Sequence, residues 1–156
     1  MYKSLYDVWG QNVFNNISNS EQHHTDAIKT LLELYNIDDP MKTDIFGEFK
    51  NQDLQELFNT LTEQGKSSLS EALSIGALIE EIYIIDIQNE LNNNVPSDDV
   101  RVIYESLLKG SYNNLCAFVN SLSRREVEYI PQKLIEEQFN EIMSRSSGRG
   151  KRRGRR

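Results

Sequence analysis

Apolar side chains recur at steps of three and four residues along most of the chain, the spacing that places them on one face of an α-helix. Alternation in twos, the mark of a half-buried strand, is nearly absent. The pattern predicts a short first helix over residues 4–9 that stops at Gly10, and a second over residues 12–35 that gives way to the polar run 36–40. A loop occupies residues 41–50. Asn51 or Asp53 can cap a shorter helix over residues 54–63, ended by Gly65. Ser67 or Ser68 opens a long helix that reaches Asn92. Ser97 caps the next, with Asp98 and Asp99 in the first turn, where the helix dipole favours negative charge; it extends to Ser121 or Ser123. Residues 126–131 read as an extended connection and residues 132–143 as a closing helix. Pro40, Pro96 and Pro131 each fall between helical patterns. From Ser144 the chain is Ser/Gly/Arg low complexity, so residues 1–143 are expected to form one all-α domain and residues 144–156 a disordered tail.

The buried stripes carry the candidate chemistry. In the second helix the stripe runs Phe14, Ile17, Glu21, His24, Ile28, Leu31, Tyr35, so a Glu and a His stand at i and i+3 within an apolar row. In the long helix after Ser68 it runs Leu73, Ala77, Glu80, Ile84, Ile87, Leu91, with one acid. In the helix after Ser97 it runs Val100, Tyr104, Leu107, Ser111, Asn114, Phe118, again with a polar pair at i, i+3. A lone buried carboxylate costs several kcal/mol unless a partner, a proton or a cation compensates it. Oxygen and nitrogen donors without cysteine suit iron or manganese and do not exclude zinc. The plainer alternative is a Glu–His ion pair on an unevenly packed helix. Stepping from Glu81 gives the mixed row Ser74, Leu78, Ile85, Gln88, so Glu80 is the acid expected to point inward. His23 falls off the stripe and reads as a solvated residue. Tyr35, Tyr83 and Tyr104 read as core aromatics with a wet edge, and Cys116 as a small buried filler.

The run from Ile17 to His24, with Phe14 before it and Ala27-Ile28 after, resembles the Glu-x-x-His helix of the ferritin-like superfamily. More narrowly, four stretches resemble one uncharacterised family within it, a domain of unknown function. They are Leu5-Tyr6-Asp7-Val8-Trp9-Gly10, Phe49-Lys50-Asn51-Gln52-Asp53-Leu54-Gln55, Ser74-Ile75-Gly76-Ala77-Leu78-Ile79-Glu80-Glu81 and Leu108-Lys109-Gly110-Ser111-Tyr112-Asn113-Asn114. The resemblance covers residues 1–143. It implies a ferritin-like four-helix bundle with an extra short helix in the long connection and a C-terminal helix. It also implies a metal site with Glu21, His24 and Glu80 as ligands, and Glu81, Ser111 and Asn114 as weak or outer members. The family's first helix usually begins upstream of the residue matching Met1 and carries acids there. An Asp is frequent where this chain has Tyr83, and a His where it has Asn114. The implied site is therefore a reduced form of a di-iron carboxylate centre. Its implied activity, if competent, is ferroxidase- or peroxidase-like oxidation of Fe(II), with iron or manganese bound. A bundle with a short first helix leaves apolar surface uncovered, which predicts a homodimer.

Composition changes this picture at one end only. The chain of 156 residues has 17 basic and 24 acidic residues and a net charge of −7. Arg149, Lys151, Arg152, Arg153, Arg155 and Arg156 crowd the last nine positions; without these six the balance is 11 basic against 24 acidic, a net −13. An acidic body with a basic tail predicts that any contact with nucleic acid or another polyanion runs through the tail, by backbone electrostatics. A metal-free helical oligomerisation or interaction domain using that tail is the alternative to the metal-binding reading. No run approaches the roughly 18 uninterrupted apolar residues of a membrane span. The start Met1-Tyr2-Lys3-Ser4 is unlike a secretory leader, and a single cysteine permits no internal disulfide; a cytoplasmic location is expected. Glycine-rich phosphate loops and nucleophile elbows are absent.

Overall fold

The computed structural model describes residues 1–40, 45–94 and 97–147. Six helices follow one another: α1 (Tyr2–Trp9), α2 (Asn12–Leu34), α3 (Gln52–Gly65), α4 (Leu69–Asn93), α5 (Asp98–Ser123) and α6 (Glu136–Ser147). No strand occurs among the described residues, so the all-α class holds. The chain divides into two compact units, Met1–Ile75 and Gly76–Arg156.

In the first unit α1 packs against α2 and α3. Gly10 ends α1 in the left-handed conformation, at φ 62°, with its N–H donating to the Tyr6 carbonyl at 2.7 Å; a Cβ would be disfavoured there. Leu5 is fully buried, and the Trp9 indole N–H donates to the Gly65 carbonyl at 2.8 Å, tying α1 to the end of α3. Asn51, one of the two expected caps, accepts from the Leu54 N–H at 3.1 Å. Gln55 holds the loop before it: its carbonyl accepts from the Phe49 N–H and its amide donates to the Gly47 carbonyl.

In the second unit the core is Ile84 on α4 with Leu115, Phe118 and Leu122 on α5, all fully buried. Gly76 makes the contact of α4 with α5 close: a Cβ there would lie 2.5 Å from Cζ of Phe118, so only glycine lets that ring rest on the backbone. Leu134, Phe139 and Ile142 are also buried, and α6 packs on α5.

The largest departure from the sequence expectation is at α6. The helix begins at Glu136 and not at residue 132, and it runs on to Ser147. The carboxylate of Glu81 explains the late start. Its Oε2 accepts from the N–H groups of Gln132, Lys133 and Leu134 at 3.0, 2.7 and 2.7 Å. Its Oε1 accepts from the Tyr129 hydroxyl at 2.6 Å and again from Gln132 at 3.1 Å. Three successive N–H groups aimed at one anion form a concave nest, and a chain held that way is not in a helical ladder. Burial and the Glu81 hydrogen bond both push the Tyr129 phenol above its usual pKa. Tyr35 and Tyr83, expected in the core, are 44% and 43% exposed, whereas Tyr104 is half-buried.

Two measurements check the role given to Glu81. Replacing it with alanine strips the nest of its anion, and Glu81→Ala is expected to cost about 2–4 kcal/mol in urea unfolding, with Tyr129→Phe costing about 1.5 kcal/mol. Hydrogen exchange at residues 132–134 should accelerate in Glu81→Ala, and a loss under about 0.5 kcal/mol would refute the role. Because Tyr129 has a raised folded-state pKa, the stability it contributes is complete below the free tyrosine value of about 10 and falls as pH rises beyond it. Tyrosinate absorbance up to about pH 11 should therefore be the same in wild type and Tyr129→Phe, and a missing step near pH 10 in the variant would count against this.

Candidate metal-binding residues

In the first unit, Phe14 and Ile17 of α2 are buried, and the stripe then opens. Ile28 and Leu31 are half-buried, and Leu34 is 65% exposed. Glu21 and His24 stand where burial changes, with side chains 26% and 20% exposed. His24 Nδ1 lies 3.3 Å from each Glu21 carboxylate oxygen. That distance is at the long end for a hydrogen bond, and the pair has the adjacency its i, i+3 spacing predicts. The Thr25 hydroxyl donates to the Glu21 carbonyl at 2.9 Å, which leaves the carboxylate out of that bond. His23 is exposed.

In the second unit, Glu80 is fully buried on α4. The Asn114 amide of α5 donates to Glu80 Oε1 at 3.5 Å, a long contact for a charged acceptor. Ser111 and Asn114 are 2% and 6% exposed, one helical turn apart. Gly76 precedes Glu80 by four residues and Phe118 follows Asn114 by four, so the close contact of Gly76 with Phe118 lies one turn from the Glu80–Asn114 pair. Only a small residue at position 76 allows α4 and α5 to approach closely enough for an asparagine to reach that carboxylate.

Glu81 is also fully buried. Sequence periodicity treated the two acids as alternatives, but each has its own surroundings. Glu80 faces an amide of α5, and Glu81 is wrapped by the N–H groups of residues 132–134 and the Tyr129 hydroxyl. With five donor contacts on its two oxygens, Glu81 has little lone-pair capacity left for a cation. No signal in the stripe pattern marked Tyr129 or the 132–134 backbone as its partners. Cys116 is buried, with its thiol toward the Ile142 carbonyl at 3.7 Å. Among the described residues, no group of three or more His, Cys, Asp or Glu side chains is gathered as a metal site. The tail residues Arg149, Lys151, Arg152, Arg153, Arg155 and Arg156 lie outside the described residues.

Comparisons with known proteins agree on one lineage. The chain is 42% identical over 153 residues to the uncharacterized protein MJ0754 of Methanocaldococcus jannaschii, covering 98% of this chain and 82% of that protein. Its fold is similar to the crystal structure of hypothetical protein MJ0754 from Methanococcus jannaschii, with a TM-score of 0.88 and 43% identity over 92% of this chain and 81% of that one. Residues 1–146 match the uncharacterized protein domain DUF2202. The chain therefore belongs to the DUF2202 family.

Proposed function

We propose that this protein is a ferritin-like helical protein that binds a transition metal, iron or manganese, through Glu21, His24 and Glu80. The observation that carries the reading is Glu80, a carboxylate with no solvent exposure whose amide partner sits at 3.5 Å. A cation is one of the few groups that offset the desolvation of a fully buried carboxylate. The Glu21–His24 pair adds a second carboxylate and an imidazole nitrogen, so the donors are all oxygen and nitrogen, as iron or manganese prefers. The donor chemistry fits the metal; the donor number is small, consistent with a reduced centre.

When bound, iron would supply oxidation of Fe(II), with dioxygen or peroxide as the electron acceptor. The chain's own part is to present the donors. Glu21 holds the His24 ring by its Nδ1, which leaves Nε2 as the nitrogen open to an ion. Asn114 orients the Glu80 carboxylate through its amide. Ser111, buried on the same face of α5, keeps that face polar.

A second reading has its own support. Glu21 with His24, and Glu80 with Asn114, are each in contact inside one unit, so both groups can exist without a metal. The protein would then be a helical interaction domain. Exposed Leu34 at the end of α2, Tyr35 and Ile37 just after it, and Val102 on α5 supply apolar surface that suits a homodimer, and the basic tail would serve polyanions.

Metal analysis decides between the two. Protein purified from iron- and manganese-supplemented cultures should hold a substoichiometric to stoichiometric amount of one of these metals. Glu80→Ala, Glu21→Ala and His24→Ala should each lower that content at least about tenfold, the equivalent of ~1.4 kcal/mol of binding. Wild type and variants holding equally little metal would leave the interaction domain as the reading.

A further inference from the structure

A groove of about 470 Å³ runs between α5 and α6 in the second unit. Its volume is within the range of about 300–1,000 Å³ usual for small-molecule sites. Leu108, Cys116 and Ile142 line it with apolar atoms, and Lys109 and Arg145 bring positive charge beside two acids, the lining Glu105 and Glu141, which pairs with Arg145. We propose that this groove binds a small amphipathic carboxylate, its alkyl part on Leu108, Cys116 and Ile142 and its carboxylate between Lys109 and Arg145. This site is separate from the proposed metal ligands and does not depend on them.

The positive end of the groove is built in advance of any ligand. Gln138 donates to the Gln88 carbonyl at 2.8 Å, and Gln88 donates in turn to the Tyr112 hydroxyl at 2.9 Å, which fixes the Tyr112 phenol. The Arg145 guanidinium lies over that ring, 5.7 Å from its centroid. Glu141, one turn earlier on α6, accepts from one Arg145 nitrogen at 2.6 Å. A guanidinium has five N–H donors in a fixed fork, so one bond to Glu141 leaves others for a bidentate carboxylate contact. Lys109 adds a second charge from α5. A held guanidinium loses less freedom on binding than a mobile one, which favours recognition of a planar anion. The aliphatic lining suits a ligand that also carries an apolar body: of the apolar lining residues, half-buried Leu108 keeps surface for it, while Cys116 and Ile142 form the buried floor.

Octanoate is a suitable probe, with neutral octanol and inorganic phosphate as controls. Titration of the ¹⁵N-labelled full chain should give saturable shifts for octanoate confined to residues of α5 and α6 that line the groove, and at least fivefold weaker binding for each control. Lys109→Gln and Arg145→Gln should each weaken octanoate binding at least fivefold, and added salt should weaken it further. Both positions are exposed, so an unchanged wild-type spectrum outside the groove verifies that the variants fold. Four results would overturn the proposal: no saturable shift at millimolar octanoate, equal binding of octanol, equal binding of phosphate, or octanoate affinity unmoved by both variants.

Discussion

The second unit depends on how one buried anion is satisfied. Glu81 sits on α4 without solvent exposure, and a carboxylate in that position is tolerable only if donors surround it. The donors come from a segment about 50 residues further along the chain, the Tyr129 hydroxyl and the N–H groups of residues 132–134. Pro131 precedes them and lacks an N–H of its own, so the donors to Glu81 begin at Gln132. The consequences follow in order. The connection after α5 is pinned to α4, α6 starts only at Glu136, and Leu134, Phe139 and Ile142 are delivered to the core. The Tyr129 ring also packs against Phe139, with centroids 6.0 Å apart. The groove between α5 and α6 is shaped by the same placement.

Glu80 and Glu81 make an informative pair because they are neighbours with opposite circumstances. Successive residues on a helix point about 100° apart, so two adjacent acids meet different surroundings. Glu81 is surrounded by N–H and O–H groups of one connection. Glu80 meets α5, where glycine at position 76 permits the close approach and Asn114 offers its amide. The first arrangement is complete in protein donors and stabilises the fold. The second places a fully buried carboxyl group against the Asn114 amide of α5, and the proposed metal-binding role is assigned to Glu80 and not to Glu81.

Much of this was readable from the chain because local signals were strong. Gly10, Asn51, Gly65 and the proline-containing breaks mark helix ends that the structure places within a few residues of expectation. The α4 stripe is buried at Leu73, Ala77, Glu80 and Ile84, as its spacing implies, and half-buried at Ile87 and Leu91. Reading failed where tertiary contacts override local pattern. The backbone of residues 132–134 is helix-compatible in sequence, and only its bonds to Glu81 hold it out of α6. Glu81 itself was hidden because α4 is apolar on more than one side, and periodicity loses its power to single out a face there. On α2 the spacing continues to Tyr35, but burial ends earlier, since a stripe records the capacity to be covered and not the presence of a cover.

Thermal unfolding of Glu80→Gln and Glu81→Gln, each with and without added Mn(II) or Fe(II), separates the roles of the two adjacent carboxylates. A ligand that binds only the folded state raises Tm by mass action. Wild type should gain Tm with metal, and Glu80→Gln should gain none while keeping or exceeding the metal-free wild-type Tm, a neutral amide replacing the buried carboxyl group. Glu81→Gln should lose Tm under both conditions and still respond to metal. A metal response retained in Glu80→Gln, or a Glu81→Gln variant as stable as wild type, would contradict these roles.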